Sequence, residues 1–277
     1  MGNQRSQQVN TYEWSKKEKI GIGNLCEVYK CLQKKSKISP EKMVAIKVFK
    51  KPSMSQEETN LISHAFSMAI GWSHPNINAV HCIAIIDGFQ SLVMEYADLG
   101  NLHDYKFKDE GQKIQSALGI VQGLKFLHLE QNGVIHRNLK PTNILFKTGP
   151  NGQVVTQLGD AGFGKVLISN AGNTQFEDSP AYRALEILEG SEYDLSADIY
   201  SLSTILYEIL MGQDYPMPKH KGSLSSVLKA MREHERPSMV ELGEKYQPLA
   251  ALIRKGWSPE PKDRPLLEEF ERELMKL

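Results

Sequence analysis

Between Lys19 and Tyr96 the apolar positions fall in short runs, Glu27 to Leu32, Val44 to Phe49, Ala79 to Ile86 and Ser91 to Tyr96, separated by turn formers such as Ser39-Pro40 and Asp87-Gly88. Runs of that length bounded by turn residues predict the strands of a small sheet. One segment breaks the pattern. Ser55 followed by Glu58 forms a capping box, and Leu61, Ile62, Ala65, Met68 and Ala69 share one face of a helix that stops in the Gly71 to Pro75 region. Beyond Gly100 the period lengthens. Ile114 to Leu129 and Ala197 to Met211 repeat apolar residues at helical spacing, as does Leu249 to Leu277 with a break at Ser258-Pro259-Glu260-Pro261. A β-rich stretch followed by a helical one predicts α+β architecture in two lobes, and a cleft between lobes is a favoured ligand site.

Composition narrows the function classes. The 277 residues carry 33 Lys and Arg against 33 Asp and Glu, with 40% hydrophobic and 24% charged positions, an ordinary globular balance. Zero formal charge lacks the basic face that counterion-driven binding requires, so no nucleic-acid partner is expected. Cys26, Cys31 and Cys82 are too few and too irregularly spaced for a disulfide framework or a four-ligand zinc site, which favours a reducing compartment. No apolar run approaches the ~18 residues of a spanning helix, and the polar N-terminal stretch lacks the core of a secretion signal. A cytoplasmic location is expected, with peripheral membrane attachment open through Gly2. Gly2-Asn3-Gln4-Arg5-Ser6 fits the N-myristoylation pattern, although one acyl chain binds membranes marginally and Arg5, Lys16, Lys17 and Lys19 add only a modest second signal.

Two features carry candidate chemistry on their own. Ile20-Gly21-Ile22-Gly23-Asn24-Leu25-Cys26-Glu27-Val28 reads either as an ordinary glycine-rich hairpin or as a turn that brings backbone N–H groups onto phosphates. A strand rather than a helix follows the glycines, so a dinucleotide fingerprint is excluded. Val44-Ala45-Ile46-Lys47 places a lysine in a run that reads as buried. Lys47 then either snorkels to water from an edge strand or requires an anion.

His136-Arg137-Asn138-Leu139-Lys140-Pro141-Thr142-Asn143-Ile144-Leu145 and Leu158-Gly159-Asp160-Ala161-Gly162-Phe163-Gly164 follow in order. With His74-Pro75-Asn76-Ile77, Met94-Glu95-Tyr96, Ala184-Leu185-Glu186, Asp198-Ile199-Tyr200-Ser201-Leu202 and Asp263-Arg264-Pro265, the sequence resembles the eukaryotic protein-kinase superfamily over almost its whole length. The resemblance implies a bilobal fold, with an N-terminal extension over 1–18, an N-lobe over 19–96 and a C-lobe over 97–277. It also implies an ATP site. Gly21 and Gly23 would cover the phosphates, Lys47 would contact them, and Asn143 and Asp160 would hold magnesium. Val28, Ala45 and Leu145 would sandwich the adenine beside a hinge at Met94, Glu95 and Ala97. Lys140 resembles the serine/threonine class, and Val44 to Lys51 resembles the mixed-lineage-kinase-domain-like and receptor-interacting group. Glu186 and Arg264 match the family's buried ion pair, and Asp198 the aspartate that holds the catalytic loop. Arg137 matches the arginine that meets a phosphorylated activation loop, where Glu177 and Asp178 offer constitutive negative charge. Trp14, Trp72 and Trp257 read as packing residues.

Four departures set this chain apart from that pattern. Asn138 stands where the family has the aspartate that accepts the substrate hydroxyl proton, and general-base catalysis is worth ~10² to 10⁴ in rate. The helix glutamate that pairs with the strand lysine maps to Ala65, between His64 and Phe66, and Glu57 and Glu58 lie roughly 10 Å away along the helix. The aromatic after the metal aspartate is Ala161, with Phe163 as a candidate replacement. Cys26 replaces the third glycine of the loop and crowds the approach to phosphate. The expected protein is therefore a pseudokinase: a nucleotide-responsive module that binds ATP weakly, with or without magnesium, and regulates a protein partner in signalling. A low-activity serine/threonine kinase and an adaptor that binds no nucleotide are the alternatives. Lys47, deprived of its helix partner, is expected to pair with Asp160.

Overall fold

Glu18–Ile22 (β1), Cys26–Gln33 (β2), Lys42–Phe49 (β3), Val80–Ile86 (β4) and Phe89–Glu95 (β5) form one antiparallel sheet in the order β1-β2-β3-β5-β4. The computed structural model describes residues 17–23, 26–35, 40–49, 67–161, 180–212, 224–239 and 242–277. Central β3 is covered on both faces, which is why Lys42 to Phe49 reads as an almost unbroken apolar run. Successive side chains alternate between two cores. Val44, Ile46 and Val48 join Tyr29, Cys31, Ala84, Ile86 and Val93 in a cluster confined to this sheet. Ala45 and Phe49 face the other way, with Leu92, Met94, Cys26 and Val28, into the core shared with the helical half. Lys47 sits on that second face. The helix expected from Ser55 lies mostly outside the described residues; 67–69 are helical, and Ala69 and Trp72 are buried.

The helical half comprises Glu110–Lys125 (α1), the single turn Leu185–Leu188 (α2), Ser196–Met211 (α3), Leu224–Arg232 (α4), Gln247–Gly256 (α5) and Leu267–Leu274 (α6). Asp109 caps α1 by accepting from the Gln112 amide at 2.8 Å. The expected helix from Ile114 to Leu129 is α-helical only to Lys125, because Phe126–Glu130 widens into a π turn. Within that turn His128 reaches the buried Asp198, with Nε2 at 2.9 Å from Oδ2. Every residue of α3 from Ala197 to Leu210 is buried, so this helix is the axis of the lobe. Its buried serine and threonine hydroxyls are satisfied locally. Ser203 and Thr204 donate to the carbonyls four residues earlier, and Trp257 Nε1 donates to Thr204 at 3.0 Å.

A hairpin of Ile144–Thr148 (β6) and Val154–Leu158 (β7) sits between α1 and the sheet, an element the apolar pattern did not mark as strands. It joins the two lobes. The Asn78 amide donates to Leu158 O and the Leu158 amide to Asn76 O. Gly119 and Gly123 of α1 permit the approach, since a β-carbon at either would come within 2.9 or 2.8 Å of Asn76. These two layers make the α+β bilobal arrangement expected from the sequence. No helix among the described residues is long and apolar enough to cross a membrane.

α5 meets α3 at Gly256, where a β-carbon would stand 1.9 Å from Ser203 Oγ. Gly256→Ala should therefore destabilise the domain by about 1–3 kcal/mol, and adding Ser203→Ala should recover part of the loss. Gly243→Ala, with no atom within 4 Å of the new methyl, is the control. Equal denaturation midpoints for Gly256→Ala and Gly243→Ala would contradict this packing.

Candidate functional site

The β6–β7 hairpin assembles the centre of the cleft. Asn143 immediately precedes β6 and Gly159 immediately follows β7, and the Gly159 amide donates to Asn143 O at 2.8 Å. Asp160 is thereby delivered beside Asn143. The Asn143 amide nitrogen donates to the Asn138 carbonyl at 2.7 Å, which fixes the side chain.

The loop carrying Asn138 is pinned from below. Asp198 Oδ2 and Oδ1 accept from the amides of His136 and Arg137 at 2.7 and 2.9 Å. Burial opposes the Asp198 charge, but the His128 contact and these amide bonds outweigh it and hold the carboxyl below its ordinary range. Burial also holds the enclosed His136 imidazole neutral by lowering its pKa. Arg137 and Asp160 both adopt left-handed backbone conformations, with φ of 64° and 58°. Such non-glycine conformations cost of order 1–3 kcal/mol and concentrate where surrounding bonds over-determine a functional loop.

Lys47 and Asp160 form a direct ion pair across the cleft, with Nζ at 2.6 Å from Oδ1 and 2.7 Å from Oδ2. The pair predicted from the sequence is present. Lys47 is only 5% exposed, so the snorkelling reading fails. Burial works against the Lys47 charge, but Asp160 reverses that effect and raises its pKa; the Asp160 carboxyl is lowered by the same contact. Glu57, Glu58 and Ala65 lie outside the described residues, as do Phe163, Glu177, Asp178, Trp14 and Gly2.

On the other side of the cleft, Ala45 and Met94 are buried while Val28 and Leu145 are half-buried, together an apolar slot beside the 95–97 segment. Glu95 turns its carboxylate away from the slot, accepting from Lys147 at 2.6 Å and Gln157 at 2.8 Å. Asn78 ties Gln157 and the Glu95 carbonyl together. The Ala97 amide has no hydrogen-bond partner among the described residues. Gly21 and Gly23 lie at the β1–β2 turn, where Gly23 donates to Cys26 O at 2.8 Å. The expected cofactor fits this donor set with one condition. Magnesium takes one or two carboxylates together with other oxygens and substrate phosphates; Asp160 would supply the carboxylate, once Lys47 releases it, and Asn143 a carboxamide oxygen. No all-protein cage of three or more His, Cys, Asp or Glu exists among the described residues.

Asn138 is buried, and its Oδ1 lies 3.5 Å from an Arg183 nitrogen. Arg137 donates to Tyr193 Oη at 3.0 Å and to Ile135 O at 3.1 Å. Glu186 and Arg264 form the expected buried pair, at 2.6 and 3.0 Å. Sequence reasoning missed Gln157 and Arg183. A lone glutamine in an apolar strand signals the first, but nothing in the sequence reveals which group the second approaches.

Residues 14–273 match the protein kinase domain, and the chain belongs to that family. It is 30% identical over 215 residues to the human serine/threonine-protein kinase ULK1, covering 74% of this chain and 20% of that protein. It is 27% identical over 279 residues to the Arabidopsis thaliana serine/threonine-protein kinase VIK, covering 96% and 60% respectively. It is also 30% identical over 208 residues to human mitogen-activated protein kinase kinase kinase 7, covering 72% and 32%. The chain thus spans between a fifth and three fifths of the length of these relatives.

The pair makes stability depend on pH at both extremes. The lowered Asp160 pKa gives a contribution present above the ordinary carboxylate value of 3.8 and lost as pH falls through the depressed one. The raised Lys47 pKa gives a share present below the ordinary 10.5 and lost as pH rises through the elevated one. A double-mutant cycle with Lys47→Met and Asp160→Asn, read by chemical denaturation without nucleotide, should give a coupling of about 0.5–3 kcal/mol at neutral pH. That coupling should shrink as pH drops below 3.8. A neutral-pH coupling near zero would refute the pair as a stabilising contact.

Proposed function

We propose that this kinase domain is a pseudokinase, a nucleotide-responsive module of the serine/threonine class that acts on a protein partner in signalling through its conformation. The observation that carries the reading is Asn138. A carboxamide at the position of the proton acceptor orients a hydroxyl but takes no proton from it, and Arg183 rather than a base lies against its oxygen. Lys47, Asn143 and Asp160 remain to meet phosphates and a divalent ion, and bound MgATP would supply the phosphoryl group and neutralising charge. Lys47 would have to leave Asp160 to meet those phosphates, which supports weak binding. The Val44 to Lys51 segment favours kinship with the mixed-lineage-kinase-domain-like and receptor-interacting group. A cytoplasmic site of action, with Gly2 acylation as a peripheral anchor, accompanies the proposal.

A low-activity serine/threonine kinase is the second reading, favoured by the ordered catalytic loop on Asp198 and by the serine/threonine kinases among the relatives. Phosphoryl-transfer assays should give at most a trace above background. Robust transfer that is abolished by Lys47→Ala or Asp160→Ala would establish the kinase instead. Asn138→Asp should restore little, because the new carboxylate would face Arg183. In thermal melts, ATP at ten times its Kd should stabilise by ~1.4 kcal/mol, a shift of a few degrees that Lys47→Ala and Asp160→Ala diminish. A flat wild-type titration would leave only the adaptor that binds no nucleotide.

A further inference from the structure

Cys26 follows Gly23 in the glycine-rich turn and enters the cleft, and its surroundings define what it does there. In the β2–β3 register Cys26 stands opposite Phe49, and Val28 opposite Lys47. Alternate strand residues share a face, so Cys26, Val28, Lys47 and Phe49 all look into the cleft. The Cys26 sulfur folds back over the turn, 3.6 Å from where a β-carbon of Gly23 would stand. Lys47 is its diagonal neighbour on the same face of the β2–β3 pair. The sulfur therefore lies over the turn on the face that carries the cation. Phosphate oxygens touching both would have to sit there. Burial pushes the Cys26 thiol pKa up, with Lys47 only partly opposing it, so the group is a neutral thiol.

The purine half of the cleft is built differently. Val28 and Leu145 are half-exposed above and below the slot, and the Ala97 amide lacks a partner among the described residues. An aromatic heterocycle with a ring acceptor meets apolar faces and an unused donor there, and displaces no internal bond.

We infer that Cys26, together with the Lys47–Asp160 pair, fills the phosphate half of the cleft and leaves the purine half open, so that the site selects a purine nucleoside over its triphosphate. The inference rests on the nucleotide-binding reading above and names the residue that sets the ligand class.

Calorimetric titration of the full chain with adenosine and, separately, with MgATP tests it. Wild type should bind adenosine more tightly than MgATP. Cys26→Gly should raise MgATP affinity by about tenfold and change adenosine affinity by less than about twofold. Cys26→Ala, which keeps an ordinary backbone at the turn, should move MgATP affinity in the same direction, and Cys26→Ser should leave both ligands unchanged. If the two ligands tighten in parallel, or MgATP affinity stays put in both Gly and Ala variants, Cys26 has no such role although nucleotide binding stands. Tighter wild-type binding of MgATP than adenosine overturns the inference in the same way. If neither ligand binds wild type, Cys26→Gly or Cys26→Ala, the nucleotide-binding reading falls and this inference with it.

Discussion

The Asp198 carboxylate, fully enclosed in the central helix, is the constraint on which the cleft depends. A buried charge with no partners would be neutralised or expelled, so this one gathers donors: two consecutive backbone amides of the catalytic loop and the His128 ring. Accepting from the adjacent amides of His136 and Arg137 imposes the sharp turn seen as the positive φ of Arg137. That turn presents Asn138 to the cleft, the Asn138 carbonyl orients Asn143, and Asn143 O in turn receives the amide of Gly159 just ahead of Asp160. A single helix-borne acid thus positions residues that lie scattered along the chain.

What is held in place has two kinds of chemistry. The hinge side is apolar, and its polar side chains are turned outward into the Glu95, Lys147, Gln157 and Asn78 network. The opposite side concentrates charge, and there the protein satisfies itself. Both oxygens of Asp160 are bound by Lys47. A bidentate contact of that kind has a favourable Coulomb term that desolvation largely offsets, and the penalty appears when one partner is removed. The pair is consequently a poor source of net stability and an effective barrier to a ligand that separates it.

Much of this was legible in the sequence because each signal rested on a local rule. Short apolar runs and turn residues marked β2 to β5, helical spacing marked α3, and the lysine embedded in an apolar strand demanded a counter-charge for which Asp160 was the nearest candidate. The failures share a physical origin. β6 and β7 are five-residue strands whose residues double as flanks of the catalytic and metal motifs, so their pairing came from tertiary contact with α1 and Asn76 rather than from a run of their own. The π turn after Lys125 keeps the same apolar spacing as an α-helix over its few residues, so no period reveals it. Arg183 is a flexible side chain whose direction is decided by where the chain folds back onto Asn138.

On the pseudokinase reading proposed above, the departures of this chain from the kinase pattern are physically linked rather than independent losses. Among the described residues Lys47 has Asp160 as its carboxylate partner. Replacing the catalytic acid by Asn138 removes a second negative charge from the same cleft, which strengthens the claim of the cations on the acid that remains. Ala161 lacks the bulky ring that would anchor the segment after Asp160, so the carboxylate is held chiefly by Lys47 and the hairpin. On that reading, a cleft already committed to an internal ion pair would place little premium on an acid to accept a proton from a substrate.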